Sequence, residues 1–125
     1  MNNVAYFEIQ VDRPEVAIKF YTDVFGWKFI KDESVPIDYW RIDTDGSNGG
    51  LMKRPVKKPS SEQGVNAFVC SIQVKSFDAT AKIILHSGGS VVVPKFAVTG
   101  KCWQGYFLDT EGNTFGLFEV DTKAI

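Results

Sequence analysis

Two stretches of the chain alternate apolar and polar residues with the period of a strand that is buried on one face. The first apolar set, near the N terminus, is Phe7, Ile9 and Val11. The second, in the later half of the chain, is Cys70, Ile72 and Val74. Each half of the chain is therefore predicted to open with a strand that is covered on one side only.

A helical period follows each of these strands. The apolar positions are Val16, Ala17, Phe20, Tyr21 and Val24 in the first half and Phe77, Thr80, Ala81, Ile84 and Leu85 in the second. Asp12 and Ser76 are predicted to cap the N termini, because short polar side chains accept hydrogen bonds from the first helical turn. Gly26 in the first half, and Gly88 and Gly89 in the second, are predicted to end the helices.

Three further strand patterns follow each helix. They lie near residues 27–32, 39–43 and 50–53 in the first half and near residues 90–93, 103–109 and 114–120 in the second. The order β-α-β-β-β thus occurs twice, and an offset of 63 residues places Val74 on Val11 and Trp103 on Trp40. Internal repetition of this kind indicates two related modules.

We therefore predict an α+β fold in which a single domain covers residues 1–125. Its two modules are predicted to cover residues 1–54 and 66–125. Residues 55–65 contain proline, serine and lysine without periodicity, and are predicted to be the linker between the modules.

Composition and charge exclude several classes of protein. Hydrophobic residues make up 44% of the chain and charged residues 23%, which is typical of a globular domain rather than a disordered one. The formal net charge of -1 gives no electrostatic reason to expect nucleic acid as a partner. A membrane partner is not expected either, because no apolar run reaches about 18 residues and no signal-peptide pattern opens the sequence. Cys70 and Cys102 form no CxxC motif, so free thiols and a cytoplasmic location are expected.

Four segments of the chain carry a family resemblance: "VDRPEVAIKFYTDVFGWKF", "GGLMKRP", "GGSVVVP" and "FLDTEGNTFGLFE". In this order they resemble the vicinal oxygen chelate superfamily, which includes glyoxalase I, bleomycin-resistance proteins, fosfomycin-resistance enzymes and extradiol dioxygenases. The resemblance covers essentially the whole chain, with Thr110 standing where the last turn usually carries proline. It implies tandem βαβββ modules whose strands form an incomplete barrel around a cavity. It also implies a small-molecule ligand and a homodimer.

The resemblance also implies where metal ligands would lie. The matching positions are Tyr6 and Val69 on the first strands, Met52 or Lys53 on the last strand of module 1, and Gly116 on the last strand of module 2. Divalent metals on this scaffold need imidazole or carboxylate ligands, which these residues do not supply. Neither a metal nor another cofactor is therefore expected. Gly116 interrupts an apolar run, and we interpret it as a position that leaves room in the cavity.

An aromatic pocket is predicted around that position. Its ligand-binding residues are predicted to be Tyr6, Glu8, Trp40, Met52, Val69, Trp103, Tyr106, Gly116 and Phe118. Aromatic walls favour flat or cationic organic ligands. The alternative for each aromatic side chain is an ordinary place in the hydrophobic core.

Glu8 is the candidate catalytic residue. It shares a strand face with Tyr6, so a cavity that contains one side chain contains both. A carboxylate among aromatic rings can serve as a general base or as the counter-charge of a cationic ligand. The alternative is an exposed glutamate at the rim of the sheet. Glu119 alternates with Phe118 and is expected to point away from the pocket.

Two functions are compatible with these residues. The first is a metal-free binding protein that sequesters a small aromatic or cationic molecule, as a resistance protein does. The alternative is a lyase, isomerase or dioxygenase related to lactoylglutathione lyase, which either uses a metal or uses Glu8 as its general base. The sequence leaves open whether the protein is an enzyme.

Overall fold

A computed structural model describes residues 4–60 and 67–125 of the chain. Within these residues the elements are β1 (Phe7–Val11), α1 (Pro14–Phe25), β2 (Lys28–Lys31), β3 (Tyr39–Asp43), β4 (Gly49–Lys53), β5 (Ser71–Gln73), α2 (Phe77–His86), β6 (Ser90–Val98), β7 (Cys102–Leu108) and β8 (Thr114–Val120).

The chain divides into two compact units, Met1–Pro59 and Ser60–Ile125. Unit 1 contains a four-stranded sheet in the order β1-β4-β3-β2, and unit 2 repeats this order as β5-β8-β7-β6. In each unit the first strand runs parallel to the last, and the other pairs are antiparallel. The predicted α+β fold of two βαβββ modules is confirmed, and each sheet is open. The boundary falls within the predicted linker, of which residues 61–65 lie outside the described part of the chain.

Unit 1 packs α1 against one face of its sheet. The buried cluster consists of Val11, Ala17, Ile42 and Leu51, with Phe7, Ile9, Ile18, Trp27, Phe29 and Trp40 packed around it. Gly26 ends the helix in the left-handed region at φ 69°, where its N–H donates to the carbonyl of Thr22 at 2.9 Å. The predicted cap Asp12 is wrong. Pro14 is the first helical residue, so the N-cap residue is Arg13, which makes no side-chain cap bond.

Unit 2 packs α2 against its own sheet. The large apolar residues buried in this unit are Phe77, Ile84, Phe107, Phe115 and Leu117. The ring of Phe107 lies 6.0 Å from the ring of Phe77 and 6.0 Å from the ring of Phe115. Leu85, which the helical period placed in the buried stripe, is instead 51% exposed, whereas its neighbour Ile84 in the same turn is fully buried.

Two side chains cap the N terminus of α2. The hydroxyl of Ser76 accepts a hydrogen bond from the N–H of Ala79 at 3.2 Å, which confirms the predicted cap. Oε1 of Glu119, on β8, accepts from the N–H of Phe77 at 2.6 Å. Glu119 therefore points toward the helix and away from the face that carries Phe118, as the alternation predicted.

β6 is longer than the pattern predicted, and it forms the edge of the unit 2 sheet as far as Val98. Its register against β7 shifts between Val91 and Val93, and again between Val93 and Phe96. Pro94 lies within the second shift. A residue without an N–H is tolerated at an edge strand or a bulge, so the proline does not end the strand.

Corresponding residues of the two units are not separated by a constant number of positions. Gly50 pairs with Glu8 across β4 and β1, and Gly116 pairs with Ser71 across β8 and β5. Gly50 and Gly116 therefore occupy corresponding positions, whereas the 63-residue offset would place Gly50 on Asn113. Their partners on the neighbouring strands, Arg41 and Tyr106, are 65 positions apart, so most of the shift from 63 to 66 arises before the last strand of each unit.

Both cysteines are free thiols, with Cys70 exposed and Cys102 partly buried. The carbonyl of Cys70 accepts the N–H of Gly116 at 2.8 Å, so it is the backbone of Cys70 that has a structural role. Neither helix in the described ranges is long and apolar enough to cross a membrane.

Candidate functional site

The face of the unit 1 sheet that lies opposite α1 carries polar side chains. The register places Glu8 and Arg41 on either side of Gly50, and pairs across a sheet share one face. Tyr39 lies two residues before Arg41 on the same strand and has the same orientation. Tyr6 precedes β1 and reaches this face with its hydroxyl. Tyr6 and Glu8, which the alternation placed together, are thus neighbours in the structure.

Met52 also belongs to this face. It pairs with Tyr39 across β3 and β4 and with Gln10 across β1 and β4. Lys53, the other residue that the sequence left as a possibility, alternates to the opposite side of the strand. The register at the end of β4 is therefore the one that places the Met52 thioether beside Tyr39.

Five side chains on or beside this face form one continuous hydrogen-bonded series. Oη of Tyr39 donates to Oε2 of Glu8 at 2.9 Å, and the hydroxyl oxygens of Tyr39 and Tyr6 lie 2.7 Å apart. Nη1 of Arg41 donates to Oη of Tyr6 at 3.2 Å, and Nε of Arg41 donates to Oδ2 of Asp32 at 2.9 Å. We call this set of Asp32, Arg41, Tyr6, Tyr39 and Glu8 the polar series.

Tyr39 is the centre of the polar series. Its side chain lies over Gly50, where a Cβ atom would overlap both the hydroxyl and the ring. The residue is only 8% exposed, and this burial is the main reason why the pKa of Tyr39 is raised. Hydrogen bonds with Tyr6 and Glu8 raise the pKa of Tyr39 further. Tyr39 is therefore a neutral phenol that donates to the Glu8 carboxylate.

Arg41 and Asp32 form the other end of the polar series. The pKa of Asp32 is lowered, chiefly because the hydroxyl and the N–H of Ser34 donate to its carboxylate, and Arg41 contributes to the same shift. The pKa of Arg41 is raised by its hydrogen bonds with Asp32 and Tyr6. Both groups are thus charged at neutral pH. The Arg41 guanidinium also lies 5.6 Å from the centre of the Tyr39 ring.

Trp40 lies on the opposite face of the unit 1 sheet. It pairs with Leu51 across β3 and β4 and packs against the buried cluster beside α1. Nζ of Lys31 lies 5.4 Å from the centre of its ring. The predicted placement of Trp40 beside Tyr6 is wrong, because alternation along β3 puts Tyr39 there instead.

Trp103 likewise lies on the helix side of its sheet. It pairs with Glu119, the residue whose carboxylate caps α2. Nε1 of Trp103 donates to Oδ2 of Asp121 at 2.9 Å, and Nζ of Lys95 lies 4.7 Å from the ring centre. The predicted placement of Trp103 beside Gly116 is therefore wrong as well.

The face of the unit 2 sheet that lies opposite α2 carries the other predicted residues. Gly116 pairs with Ser71 and with Tyr106, and Phe118 pairs with Gln104. Tyr106, Gly116 and Phe118 therefore share one face, as the sequence predicted. Val69 precedes β5 outside the strand and is 38% exposed.

The space above Gly116 is filled by polar side chains of the same unit. A Cβ atom at this position would overlap Oγ of Ser71 and lie 2.9 Å from Nε2 of Gln104. Nε2 of Gln104 donates to Oγ of Ser71 at 3.2 Å. The prediction that Gly116 leaves an empty volume is wrong, because the glycine makes room for this amide and hydroxyl pair. Beside it, the rings of Phe96 and Tyr106 are stacked with their centres 6.4 Å apart.

The residues at the implied metal positions do not fit a divalent ion. Oη of Tyr6 accepts a hydrogen bond from the Arg41 guanidinium, which disfavours a second cation at the same oxygen. Val69 has no donor atom and Gly116 has no side chain. Within residues 4–60 and 67–125, no three histidine, cysteine, aspartate or glutamate side chains come close enough to hold a metal ion.

Sequence reasoning missed three members of the polar series. Tyr39 and Arg41 were overlooked because Trp40 lies between them. When consecutive residues of a strand are both aromatic, the sequence does not show which of the two faces the core. The apolar Ile42 could have resolved it, since Ile42 shares a face with Trp40 and is buried. No sequence signal identifies Asp32, because it lies beyond the end of β2.

A family model described as Glyoxalase/Bleomycin resistance protein/Dioxygenase superfamily matches residues 3–117 of the chain. A comparison with curated proteins returned no match. Matches to solved structures extend over nearly the whole chain.

One such structure is a glyoxalase/bleomycin resistance protein/dioxygenase family enzyme from Burkholderia phytofirmans PsJN, with a TM-score of 0.74 and 20% identity over 94% of this chain and 98% of that chain. The fosfomycin resistance protein FosX from Listeria monocytogenes has a TM-score of 0.74 and 15% identity, covering 97% of this chain and 95% of that chain. A glyoxalase/bleomycin resistance protein from Albidiferax ferrireducens T118 has a TM-score of 0.71 and 18% identity, covering 93% and 98% respectively. At these identities the likeness shows the fold alone.

Proposed function

This chain belongs to the glyoxalase/bleomycin resistance protein/dioxygenase superfamily, and from that premise we propose that it binds a small organic molecule carrying an aromatic ring and a positive charge. In this proposal the protein needs no metal, and it acts by sequestering the molecule rather than by converting it to a product. The scaffold alone does not decide this, because one fold hosts many functions and the argument must come from the side chains.

The observation that carries the proposal is the position of the Glu8 carboxylate. It is exposed on the strand face and held by the hydroxyl of Tyr39, while the neighbouring Tyr6 is 40% exposed. A carboxylate attracts a cation, and an adjacent aromatic ring adds contact area and an attraction to positive charge. Since the Tyr39 bond fixes one carboxylate oxygen, little side-chain freedom is lost when a ligand binds to the other.

The strand face of unit 2 offers a second set of groups suited to an organic ligand. The stacked pair of Phe96 and Tyr106 presents aromatic surface, and Phe96 is 39% exposed. Gln104 and Ser71 supply neutral hydrogen-bonding groups beside it. Such a combination of aromatic surface and a few polar groups is typical of small-molecule sites.

Calorimetric titration with 2-phenylethylammonium tests this proposal. We expect Glu8→Gln to weaken binding about tenfold or more, because a charge-assisted hydrogen bond is lost. The matched control is Glu33→Gln, which removes the same charge from an exposed loop residue and should leave the dissociation constant unchanged. Equal affinities of the wild type and Glu8→Gln would contradict the proposal.

A second candidate function is catalysis with Glu8 as the general base. The observation in its favour is again the fixed carboxylate, since a positioned carboxylate can remove a proton from a bound substrate. A hemithioacetal turnover assay after treatment with a chelator separates the two functions. Turnover that survives chelation and is lost in Glu8→Gln would replace sequestration by metal-independent catalysis, whereas turnover that chelation abolishes would indicate a metal enzyme.

A further inference from the structure

The two ends of the polar series determine where each of its hydroxyl protons points. Arg41 has only donors, so the oxygen of Tyr6 accepts from it. The Glu8 carboxylate has only acceptors, so the single proton of Tyr39 is used on Glu8. The remaining contact, between the two hydroxyls at 2.7 Å, must therefore use the proton of Tyr6 and the oxygen of Tyr39.

As a result, every hydroxyl proton of the polar series is already engaged within the series. Apart from Arg41, the groups of the polar series that remain for a ligand are acceptors: the second carboxylate oxygen of Glu8 and the outer lone pairs of the two phenols. A ligand that approaches with its own acceptor finds no hydroxyl proton there. A ligand that approaches with N–H groups can donate to the second oxygen of Glu8 and to the phenol oxygen of Tyr6, a residue that is 40% exposed.

We infer that the strand face of unit 1 prefers ligands that donate hydrogen bonds. The ligand class is then a protonated primary or secondary amine, or an amidine, attached to an aromatic group. This inference rests on the proposed function and narrows it. A quaternary ammonium ion carries the same charge but no N–H, and it forfeits the hydrogen bonds to Glu8 and the phenols. An organic anion would have to bind Arg41 instead, where the Asp32 carboxylate already neutralises the guanidinium.

A pair of ligands that differ only in their N–H groups tests the inference. The probes are 2-phenylethylammonium and its N,N,N-trimethyl derivative, titrated calorimetrically into the full chain at neutral pH. We expect the primary ammonium to bind about tenfold tighter or more, because charge-assisted hydrogen bonds are among the strong ones. Phenylacetate serves as the anionic probe and is expected to bind more weakly than both.

The variant Glu8→Gln provides the matched test of the acceptor. Its amide oxygen can still accept from Tyr39, but its amide nitrogen then presents N–H donors to the ligand. The preference for the primary ammonium over the trimethyl derivative should fall to about one, while Glu33→Gln should keep the preference of the wild type. A preference that survives unchanged in Glu8→Gln would overturn the inference.

The outcomes separate the inference from the proposed function. If the wild type binds the two ammonium ions with equal affinity, the inferred preference for hydrogen-bond donors is overturned, but the proposed binding of an aromatic cation is not. Tighter binding of phenylacetate than of either ammonium ion overturns both. Binding of neither ammonium ion also overturns both.

Discussion

Tyr39 is part of the hydrophobic core and also part of the polar series on the strand face of unit 1. Its ring is as buried as a core residue, yet its hydroxyl holds the Glu8 carboxylate on an exposed face. Burial favours the neutral phenol, and the neutral phenol is the form that can donate to a carboxylate. The two effects therefore support each other, and the position of Glu8 depends on the protonation state of Tyr39.

This dependence predicts a loss of stability at high pH. Because the pKa of Tyr39 is raised in the fold, the unfolded chain releases this proton first, near the ordinary tyrosine value of about 10. The free energy of unfolding should be unaffected by this group below about pH 10 and should then fall as the pH rises, by up to about 1.4 kcal/mol per pH unit for one proton. Urea unfolding at a series of pH values measures the effect.

Tyr39→Phe is the variant that isolates this contribution. At neutral pH it should lower the free energy of unfolding by about 1–2 kcal/mol, since Tyr6 and Glu8 each lose a hydrogen bond with the Tyr39 hydroxyl. Above pH 10 the gap to the wild type should narrow, because the variant has no phenol to ionise at this position. Tyr106→Phe, on the exposed strand face of unit 2, is the control. A gap that stays constant through pH 11 would show that Tyr39 does not titrate as described.

For single residues, the sequence predicted which face each side chain occupies better on β1 than on β3. Alternation alone placed Tyr6 and Glu8 on one face, and the structure confirms it. It failed at Trp40 because large aromatic residues suggest a ligand wall as readily as a core position. Ile42, two residues further along β3, is the sequence signal that places Trp40 on the buried face toward α1, and the register between β3 and β4 shows the same orientation.

At the scale of elements, the last strand of each unit carries a glycine at the same place for a related reason. Gly50 accommodates the ring and hydroxyl of Tyr39, and Gly116 accommodates the side chains of Ser71 and Gln104. The groups differ in stiffness. The Tyr39 ring is buried and has few positions to move to. At Gly116 the ends of Ser71 and Gln104 can rotate away, and the remaining contact, with Cβ of Ser71 at 3.1 Å, needs only a small shift.

The cost of adding a methyl group should therefore differ between the two strands. We expect Gly50→Ala to lower the free energy of unfolding by about 2–3 kcal/mol and Gly116→Ala by less than about 1 kcal/mol, as expected for overpacking against rigid and flexible neighbours. Gly46→Ala is the control, because a Cβ atom there meets nothing within 4 Å. Chemical denaturation of the three variants measures this order, and equal losses at Gly50 and Gly116 would contradict it.

Element boundaries followed the local signals where those signals were strong. Gly26 ends α1 and Ser76 begins α2 as predicted, because each acts through its own backbone or side chain. The length of β6 was underestimated because Pro94 reads as a strand end in the sequence. An edge strand with two register shifts tolerates it, and those shifts follow from the pairing with β7.

At the scale of the whole molecule, family membership determines the scaffold and leaves the chemistry to individual side chains. The repeated topology and the match over residues 3–117 agree on the fold. The positions that the family resemblance implies for metal ligands carry residues that do not fit a metal, and a different set of charged and phenolic groups lies on the strand face of unit 1. The repeat was visible in the sequence, but the polar series was not, because it joins residues from three separate segments.

The edge of the unit 2 sheet leads to a prediction about assembly. Within the described residues, β6 is a strand of nine residues that pairs on one side only, with β7, and it exposes Val91, Val92, Val93, Phe96 and Val98. A long apolar edge strand is a pairing site unless something covers it. We expect a second copy of the chain to cover β6, in agreement with the homodimer that the family resemblance implies. Analytical ultracentrifugation should then give about twice the chain mass of 14.0 kDa.

The substitution Val92→Lys should shift this mass toward that of the monomer, because a charge on the edge strand opposes pairing and cannot be buried without a partner. Val120→Lys is the matched control, since it places the same charge at an exposed valine of β8, an inner strand of the same sheet. The control should sediment as the wild type does. A wild type that sediments as a monomer at micromolar concentration, or a dimer that Val92→Lys leaves intact, would show that β6 is not the surface through which two copies associate.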